Sequence, residues 1–109
     1  MKLYFYILER SYSEKPFVRF EQGEVIEKPK TYYPVDNFPS GIYTRCINKS
    51  DIGHLSGCSD NLVVLTEPNT KLAKEIFTKQ YESKVRQYEK FLAKAKAELN
   101  AILEMEELK

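Results

Sequence analysis

The sequence predicts an α+β fold in which a small antiparallel β-sheet is followed by one long C-terminal α-helix. All five prolines and all four glycines lie at or before Pro68. Ten of the fourteen Phe and Tyr residues, which favour strands, also precede Pro68. Ala, Leu, Lys, Glu and Gln, which favour helices, dominate the residues after it. We therefore expect one compact domain with a β-rich body over residues 1–68 and a helical extension over residues 69–109.

The first predicted strand is Leu3–Leu8, because its side chains alternate between two faces. One face carries Leu3, Phe5 and Ile7, and the other carries Tyr4, Tyr6 and Leu8. Two further strands, Phe17–Glu21 and Glu24–Glu27, flank the dipeptide Gln22-Gly23. Glycine supplies the positive φ that tight turns demand, so this segment predicts a β-hairpin.

Three more short strands complete the predicted sheet. Thr31–Tyr33 is enclosed by Pro29 and Pro34 and is expected to form an edge strand, because proline cannot donate a ladder hydrogen bond. Ile42–Ile47 follows a Pro-Ser-Gly turn, and Leu62–Thr66 closes the body. The long loop between them, from Asn48 to Asn61, is expected to be a flexible connection, although its two glycines also suit an anion-binding nest.

The C-terminal helix is predicted to begin directly after Pro68, with Asn69 or Thr70 as its N-cap. If it continued to Leu108, it would be ~60 Å long at a rise of 1.5 Å per residue. Strands of about five residues span only ~17–20 Å. The sheet therefore covers only the first turns of the helix, and the remainder needs another partner or stays exposed.

An apolar stripe follows the heptad spacing of a coiled coil along the later part of this helix. Its members are Val85, Tyr88, Leu92, Ala95, Leu99 and Ile102. Because Phe91, Leu103 and Met105 widen it, the pattern suits a helical hairpin, an antiparallel pair or a small bundle. We predict a homodimer or higher oligomer centred on Leu92, Leu99 and Ile102; the alternative is a helix that folds back on its own body.

Two basic groupings are candidates for binding a partner. The helix carries a row at i, i+4, i+8, formed by Arg86, Lys90 and Lys94, which is either a solvated face or a contact for phosphate or carboxylate. The sheet offers a patch of aromatic and basic residues, namely Lys28, Lys30, Tyr32, Tyr33, Tyr43 and Arg45. This patch suits stacking on single-stranded nucleic acid or a protein contact, unless the tyrosines merely cover a one-layer sheet.

No catalytic or metal-binding constellation stands out. His54 is the only histidine, and the set Cys46, His54, Cys58 and Asp60 lacks the paired spacing of a zinc knuckle. A cysteine nucleophile needs a base that a third group orients, and nothing supports such an arrangement around Cys58 and His54. We therefore expect a protein that is not an enzyme and holds neither a cofactor nor a metal.

Composition indicates a cytoplasmic protein without a membrane segment. Hydrophobic residues make up 42% and charged residues 30%, a balance that excludes a disordered tail. No apolar run approaches the ~20 residues of a membrane helix, and the opening apolar run is too short for a signal peptide. The net charge of +1 argues against a DNA-compacting protein, and two cysteines without an export signal indicate reduced thiols.

Residues 28 to 100 resemble short accessory proteins of phages and other mobile elements of low-GC bacteria. The resemblance is carried by Lys28–Tyr32, Phe38–Tyr43, Lys49–Gly53 and Val63–Leu65, followed by the Lys/Glu-rich helix. It implies a small protein that acts by binding a host protein or ribonucleoprotein, including inhibitors of host defence of the anti-CRISPR type. A single-stranded nucleic-acid-binding module is the alternative function.

Overall fold

A computed structural model describes residues 1–10, 15–57 and 60–105 and confirms the α+β class. The described strands are β1 (Lys2–Glu9), β2 (Phe17–Glu27), β3 (Thr31–Pro34), β4 (Ile47–Asn48), β5 (Leu55–Ser56) and β6 (Leu62–Leu65). A 3₁₀-helix spans Lys49–Asp51, and the single long helix α1 spans Thr70–Leu103. The strands form one curled sheet in the order β4-β3-β2-β1-β6-β5, and each described pairing is antiparallel.

Strand β1 lies inside the sheet and supplies the centre of the core. The predicted alternation is confirmed, because Leu3, Phe5 and Ile7 are at most 1% exposed on one face. On that face they pack with Val25, Tyr32, Ile47, Leu62 and Val64. Side chains from the connecting segments, Phe38, Ile42 and Ile52, pack against this cluster and shield it from water. Burial of this apolar surface is the main stabilisation of the sheet.

The other face of β1 packs against the beginning of α1. Tyr6, Val63 and Leu65 are buried together with Ala73, and Tyr4, Leu55, Ile76 and Phe77 are partly buried around them. Ala73 is the one buried residue among the described residues of α1. The prediction that the sheet buries only the first turns is therefore confirmed. The predicted N-cap is also confirmed, since the Asn69 Oδ1 atom accepts a 3.0 Å hydrogen bond from the Leu72 amide.

The predicted hairpin at Gln22-Gly23 is wrong, because β2 runs without interruption through these two residues. Gly23 faces Leu3 in the register with β1, and Glu9 faces Phe17 at the other end. Gly23 has no positive φ. A Cβ atom at this position would lie 3.4 Å from the Phe5 ring and 4.0 Å from the Pro39 ring. These are ordinary van der Waals distances, so the glycine lies in a regular strand rather than in a turn.

Two other strand predictions also fail. Strand β3 is not an edge strand, because it pairs with β2 on one side and with β4 on the other. The expected strand Ile42–Ile47 is reduced to Ile47–Asn48, and residues 42–46 have no regular secondary structure. The loop from Asn48 to Asn61, expected as a flexible connection, contains the 3₁₀-helix and β5 in its described part. The Gly53 amide ties this loop to the sheet by a 3.0 Å hydrogen bond to the Val64 carbonyl.

The chain divides into two compact units, unit 1 (Met1–Phe77) and unit 2 (Thr78–Lys109). Unit 1 holds the sheet, both core clusters and the first turns of α1. The described part of unit 2 is the remainder of α1 and the residues that follow it up to Met105. Among the described residues, no helix has the length and apolar character needed to cross a membrane.

Candidate binding surfaces

The predicted apolar stripe lies on the surface of unit 2. Five of its members are large side chains with exposed fractions between 52% and 67%, namely Val85, Tyr88, Leu92, Leu99 and Ile102. Ala95, the sixth, is also exposed. All six belong to the continuous helix α1, so the heptad spacing places them along one side of it. Whether they mediate self-association stays a prediction, but within the described chain nothing covers them.

Three further apolar side chains and a groove extend this surface. Phe91, Leu103 and Met105 are 65% to 72% exposed. A shallow groove of about 410 Å³ lies along the same helix, lined by Thr78, Tyr81, Glu82, Val85, Arg86 and Glu89. The Lys84 ammonium group lies 4.8 Å from the centroid of the Tyr81 ring at this groove's edge. The exposed apolar area is thus wider than the stripe alone, as the sequence predicted.

The basic row occupies the opposite side of the same helix. Arg86, Lys90 and Lys94 are all exposed. At 100° per residue, their mean direction points about 180° away from that of the stripe. A contact made by the stripe would therefore leave these three charges in solvent and available to a second, acidic partner.

The predicted aromatic and basic patch of unit 1 does not form as one surface. Tyr32 is only 6% exposed and belongs to the core, with the Lys49 ammonium group 5.3 Å from its ring centroid. Tyr33, its neighbour in β3, is 42% exposed on the opposite face. Tyr43 is 84% exposed but lies in the irregular segment after Gly41. The patch was inferred from two neighbouring strands, and the second of these is reduced to Ile47–Asn48, so that Tyr43 and Arg45 lie outside it.

The basic members of that patch are solvent-exposed. Lys30 lies in the turn between β2 and β3, where its carbonyl oxygen accepts a 2.9 Å hydrogen bond from the Lys49 amide. Arg45 lies in the irregular segment beside Tyr43. The Lys49 side chain, which sequence reasoning did not select, donates a 2.6 Å hydrogen bond to Glu27. Tyr43 and Arg45 are therefore exposed side chains of the irregular segment before β4 rather than members of a strand.

A second apolar face, on β2 and β3, was missed by the sequence reasoning. Val18, Phe20 and Ile26 lie on the same face of β2 and are 48% to 49% exposed. The exposed Gln22 and Glu24 lie between Phe20 and Ile26 on that face. Tyr33 faces Ile26 in the register and extends the face onto β3. The Phe20 ring packs on Tyr6 at 5.1 Å and on Tyr4 at 6.2 Å between centroids. The predicted hairpin concealed this face, and the polar Gln22 and Glu24 interrupt the apolar alternation that would have indicated it in the sequence.

Arg19 fixes the irregular segment that follows β3 to the sheet. Its guanidinium group donates hydrogen bonds to Glu9 at 2.9 Å and Glu21 at 3.0 Å, and a short one to the Ser40 carbonyl. Desolvation lowers the pKa of Arg19, but the hydrogen bonds and charges of Glu21 and Glu9 outweigh it and raise the pKa above its usual value. The arginine therefore stays charged and joins three parts of unit 1.

A cleft of about 380 Å³ opens between the segment that starts at Gly41 and the loop that ends at Leu62. Its polar lining comes from Thr44, Cys46, Asn48, Asp51, Ser56 and Asn61. Two of these side chains already donate hydrogen bonds to backbone oxygens, Thr44 to Cys46 and Ser56 to Leu62. Cys46 is a partly buried free thiol. Nothing in the lining pairs a nucleophile with a base.

The structure describes only one of the two residues weighed for nucleophilic chemistry. His54 is exposed at the turn before β5, and Cys58 lies outside the described residues. Within residues 1–10, 15–57 and 60–105, no group of three or more His, Cys, Asp or Glu side chains is arranged to hold a metal ion. The exposed apolar surfaces are thus the features from which a function can be argued. Comparison of the chain with protein-family models, curated proteins and solved structures gives no match.

Proposed function

We propose that this chain is a non-enzymatic binding protein that self-associates through α1 and acts by contacting a host macromolecule. The observation that supports the proposal is the exposure of unit 2. Every described residue from Val85 to Met105 is exposed, and eight of them are large apolar side chains. These eight side chains are Val85, Tyr88, Phe91, Leu92, Leu99, Ile102, Leu103 and Met105.

The free energy of hydration favours covering these side chains. Leaving a large apolar side chain in water forfeits about 1.5–3 kcal/mol relative to burying it. Association consumes part of this gain through lost rotational and translational freedom, estimated at about 4–15 kcal/mol. Several such side chains on one helix side are sufficient to offset that cost at micromolar concentration. Self-association of α1 therefore has both the surface and the driving force that it needs.

The face formed by Val18, Phe20, Ile26 and Tyr33 supports the second contact, with a host protein. Aromatic and aliphatic side chains that are half exposed on a rigid sheet are typical anchors of protein interfaces. The resemblance to accessory proteins of mobile elements suggests the class of partner, a protein or ribonucleoprotein of a host defence system.

Affinity capture from host lysate with paired variants tests this second contact. Ile26→Lys places a charge within the face, whereas Ser50→Lys adds the same charge at an exposed position of the 3₁₀-helix. We expect the wild type and Ser50→Lys to capture the same specific protein and Ile26→Lys to lose it. Capture of no specific macromolecule by the wild type would count against the proposed function. Equal capture by all three would exclude this face as the contact.

The nucleic-acid alternative now depends on the basic row of α1, because Tyr32 is buried. Arg86, Lys90 and Lys94 are exposed on one side of the helix and are spaced by about 6 Å. Phosphate contacts release counterions, so such binding weakens steeply with salt. An electrophoretic shift with mixed oligonucleotides at low salt tests it. A shift that disappears in Lys90→Glu and at raised salt would support the alternative, and no shift at tens of micromolar protein would eliminate it.

A further inference from the structure

The sizes of the stripe residues distinguish between two ways of pairing α1 with a second copy. In an antiparallel pair, each a position faces a d position of the other helix. If Leu92 faces Ala95 of the second copy, Tyr88 faces Leu99 and Val85 faces Ile102. Every layer then combines two different side chains, and the smallest residue of the stripe meets a leucine. The facing pairs therefore fill the space between the helices.

A parallel pair in register packs less well. It places Ala95 against Ala95 and Tyr88 against Tyr88 in the d layers. The first layer leaves a void between two methyl groups, and the second places two large rings at one level. Voids and overpacking both lower the stability of a packed interface. The size pattern of the stripe thus favours the antiparallel arrangement.

Charge complementarity supports the same register. Glu89 and Lys96 occupy e positions beside the stripe, and both are exposed. In the antiparallel register the flanking e positions of the two helices meet, so Glu89 of each copy faces Lys96 of the other. Twofold symmetry then produces two ion pairs, and no like charges face each other at the other e and g positions. In a parallel pair, Glu89 would instead face Lys84 of the other copy, and the Lys84 ammonium group already lies over the Tyr81 ring.

In the antiparallel register, Ile102 of the second copy faces Val85. Leu103, which is 72% exposed, follows Ile102 in sequence and lies at the same end of the helix. The pairing therefore covers the apolar side chains at both ends of the stripe.

We propose that unit 2 pairs with unit 2 of a second copy as an antiparallel two-stranded coiled coil in which Leu92 faces Ala95. The proposal rests on the self-association proposed above and adds its orientation, its register and the reciprocal contact between Glu89 and Lys96. The pairing is isologous, because the same surface serves both copies, and it therefore closes at two chains. It leaves Arg86, Lys90 and Lys94 on the outer side.

Disulfide crosslinking measures the orientation directly. The background is Cys46→Ser/Cys58→Ser in the full chain, and two single variants carry Val85→Cys or Ile102→Cys. In the antiparallel register, a 1:1 mixture forms the crosslinked dimer, whereas neither variant crosslinks alone, because position 85 lies ~25 Å from its own copy along the axis. Crosslinking of each variant alone would overturn the antiparallel orientation while preserving the dimer.

A charge swap tests the register by a second measurement that needs no cysteine. Glu89→Lys should raise the dissociation constant of the dimer about tenfold, since two ion pairs become repulsive. Glu89→Lys/Lys96→Glu should restore it, whereas rescue by Glu89→Lys/Lys84→Glu would overturn the proposal in favour of a parallel pair. A wild type that is monomeric by light scattering would overturn both the register and self-association. A dimer that captures no host partner would instead refute only the proposed host contact.

Discussion

The phenolic oxygen of Tyr6 accepts a 2.9 Å hydrogen bond from the backbone amide of Asn69, the residue that caps α1. Tyr6 is 3% exposed and lies in β1, between β2 and β6. The bond therefore fixes the start of the helix to the sheet at a single buried point. The backbone amide of Asn69 is bound to Tyr6 of β1, and its side chain caps the first turn of α1. Strand β1 therefore helps to fix where α1 begins.

Removing either half of this connection should lower the free energy of unfolding. We expect Tyr6→Phe to cost about 1 kcal/mol, because the Asn69 amide loses its acceptor. Asn69→Ala should cost a similar amount, about 1 kcal/mol, through loss of the cap. Asn69→Asp is the matched control, since an aspartate also accepts the bond from Leu72. Urea denaturation followed by circular dichroism measures these changes, and equal stability of Asn69→Ala and Asn69→Asp would contradict the role of the cap.

Leu99→Glu should convert the protein to a monomer without unfolding unit 1. The substitution places a charge at a stripe position that is 53% exposed in the single chain. Its matched control is Ala97→Glu, which adds the same charge on the opposite side of α1. Size-exclusion chromatography with light scattering should report a dimer for the wild type and for Ala97→Glu, and half that mass for Leu99→Glu. A monomeric wild type at high micromolar concentration would contradict the prediction.

Two glycine-to-alanine substitutions should change the free energy of unfolding by different amounts. Gly23 lies in a strand without a positive φ, and a Cβ atom meets the Phe5 ring at an ordinary 3.4 Å. Gly23→Ala should therefore change the free energy of unfolding by less than about 1 kcal/mol. Gly41 has a φ of +93°, so Gly41→Ala strains the backbone and should destabilise by more than that. Thermal unfolding compares them; a larger loss for Gly23→Ala would indicate that a turn forms at Gln22-Gly23 after all.

Arg19→Met should destabilise unit 1 by about 1–2 kcal/mol, because it removes a donor that serves two carboxylates and a carbonyl group. Arg19→Lys should recover little, since one ammonium group cannot reproduce the planar fork of the guanidinium. Lys28→Met removes an exposed charge from the same unit and serves as the control. Chemical denaturation at low and high salt measures the free energy of unfolding of these variants. If Arg19 only filled space, Arg19→Met would be as stable as the wild type.

The parts of the fold that follow from local pattern were predictable from sequence. Leu3, Phe5 and Ile7 share a face because side chains alternate along a strand, and α1 begins after Pro68 because its cap and composition are local signals. Gly23 was different. A Gln-Gly dipeptide between two strand-forming segments looks the same in sequence whether it forms a hairpin turn or lies inside one long strand. Only contacts with residues distant in sequence, here Phe5 and Pro39, distinguish the two cases.

The candidate surfaces show the same division. The stripe was predictable because its period is a property of a single helix, and the position of each member on α1 follows from counting. The aromatic patch was not, because it required a strand through residues 42–47, of which only Ile47–Asn48 pairs with β3. Tyr32 and Tyr33 also divide between the two faces of β3, so one ring enters the core and the other stays exposed. Long-range pairing decides such surfaces, and a local pattern contains no information about it.

The outermost strands of the sheet, β4 and β5, have two residues each. A long outer strand presents a row of unsatisfied amides and carbonyls on which foreign strands polymerise, and very short ones offer almost no template. The strands β4 and β5 are therefore poor templates for added strands, and the longer edge of the sheet lies on β2, where residues 17–24 pair with β1 and only residues 25–27 pair with β3.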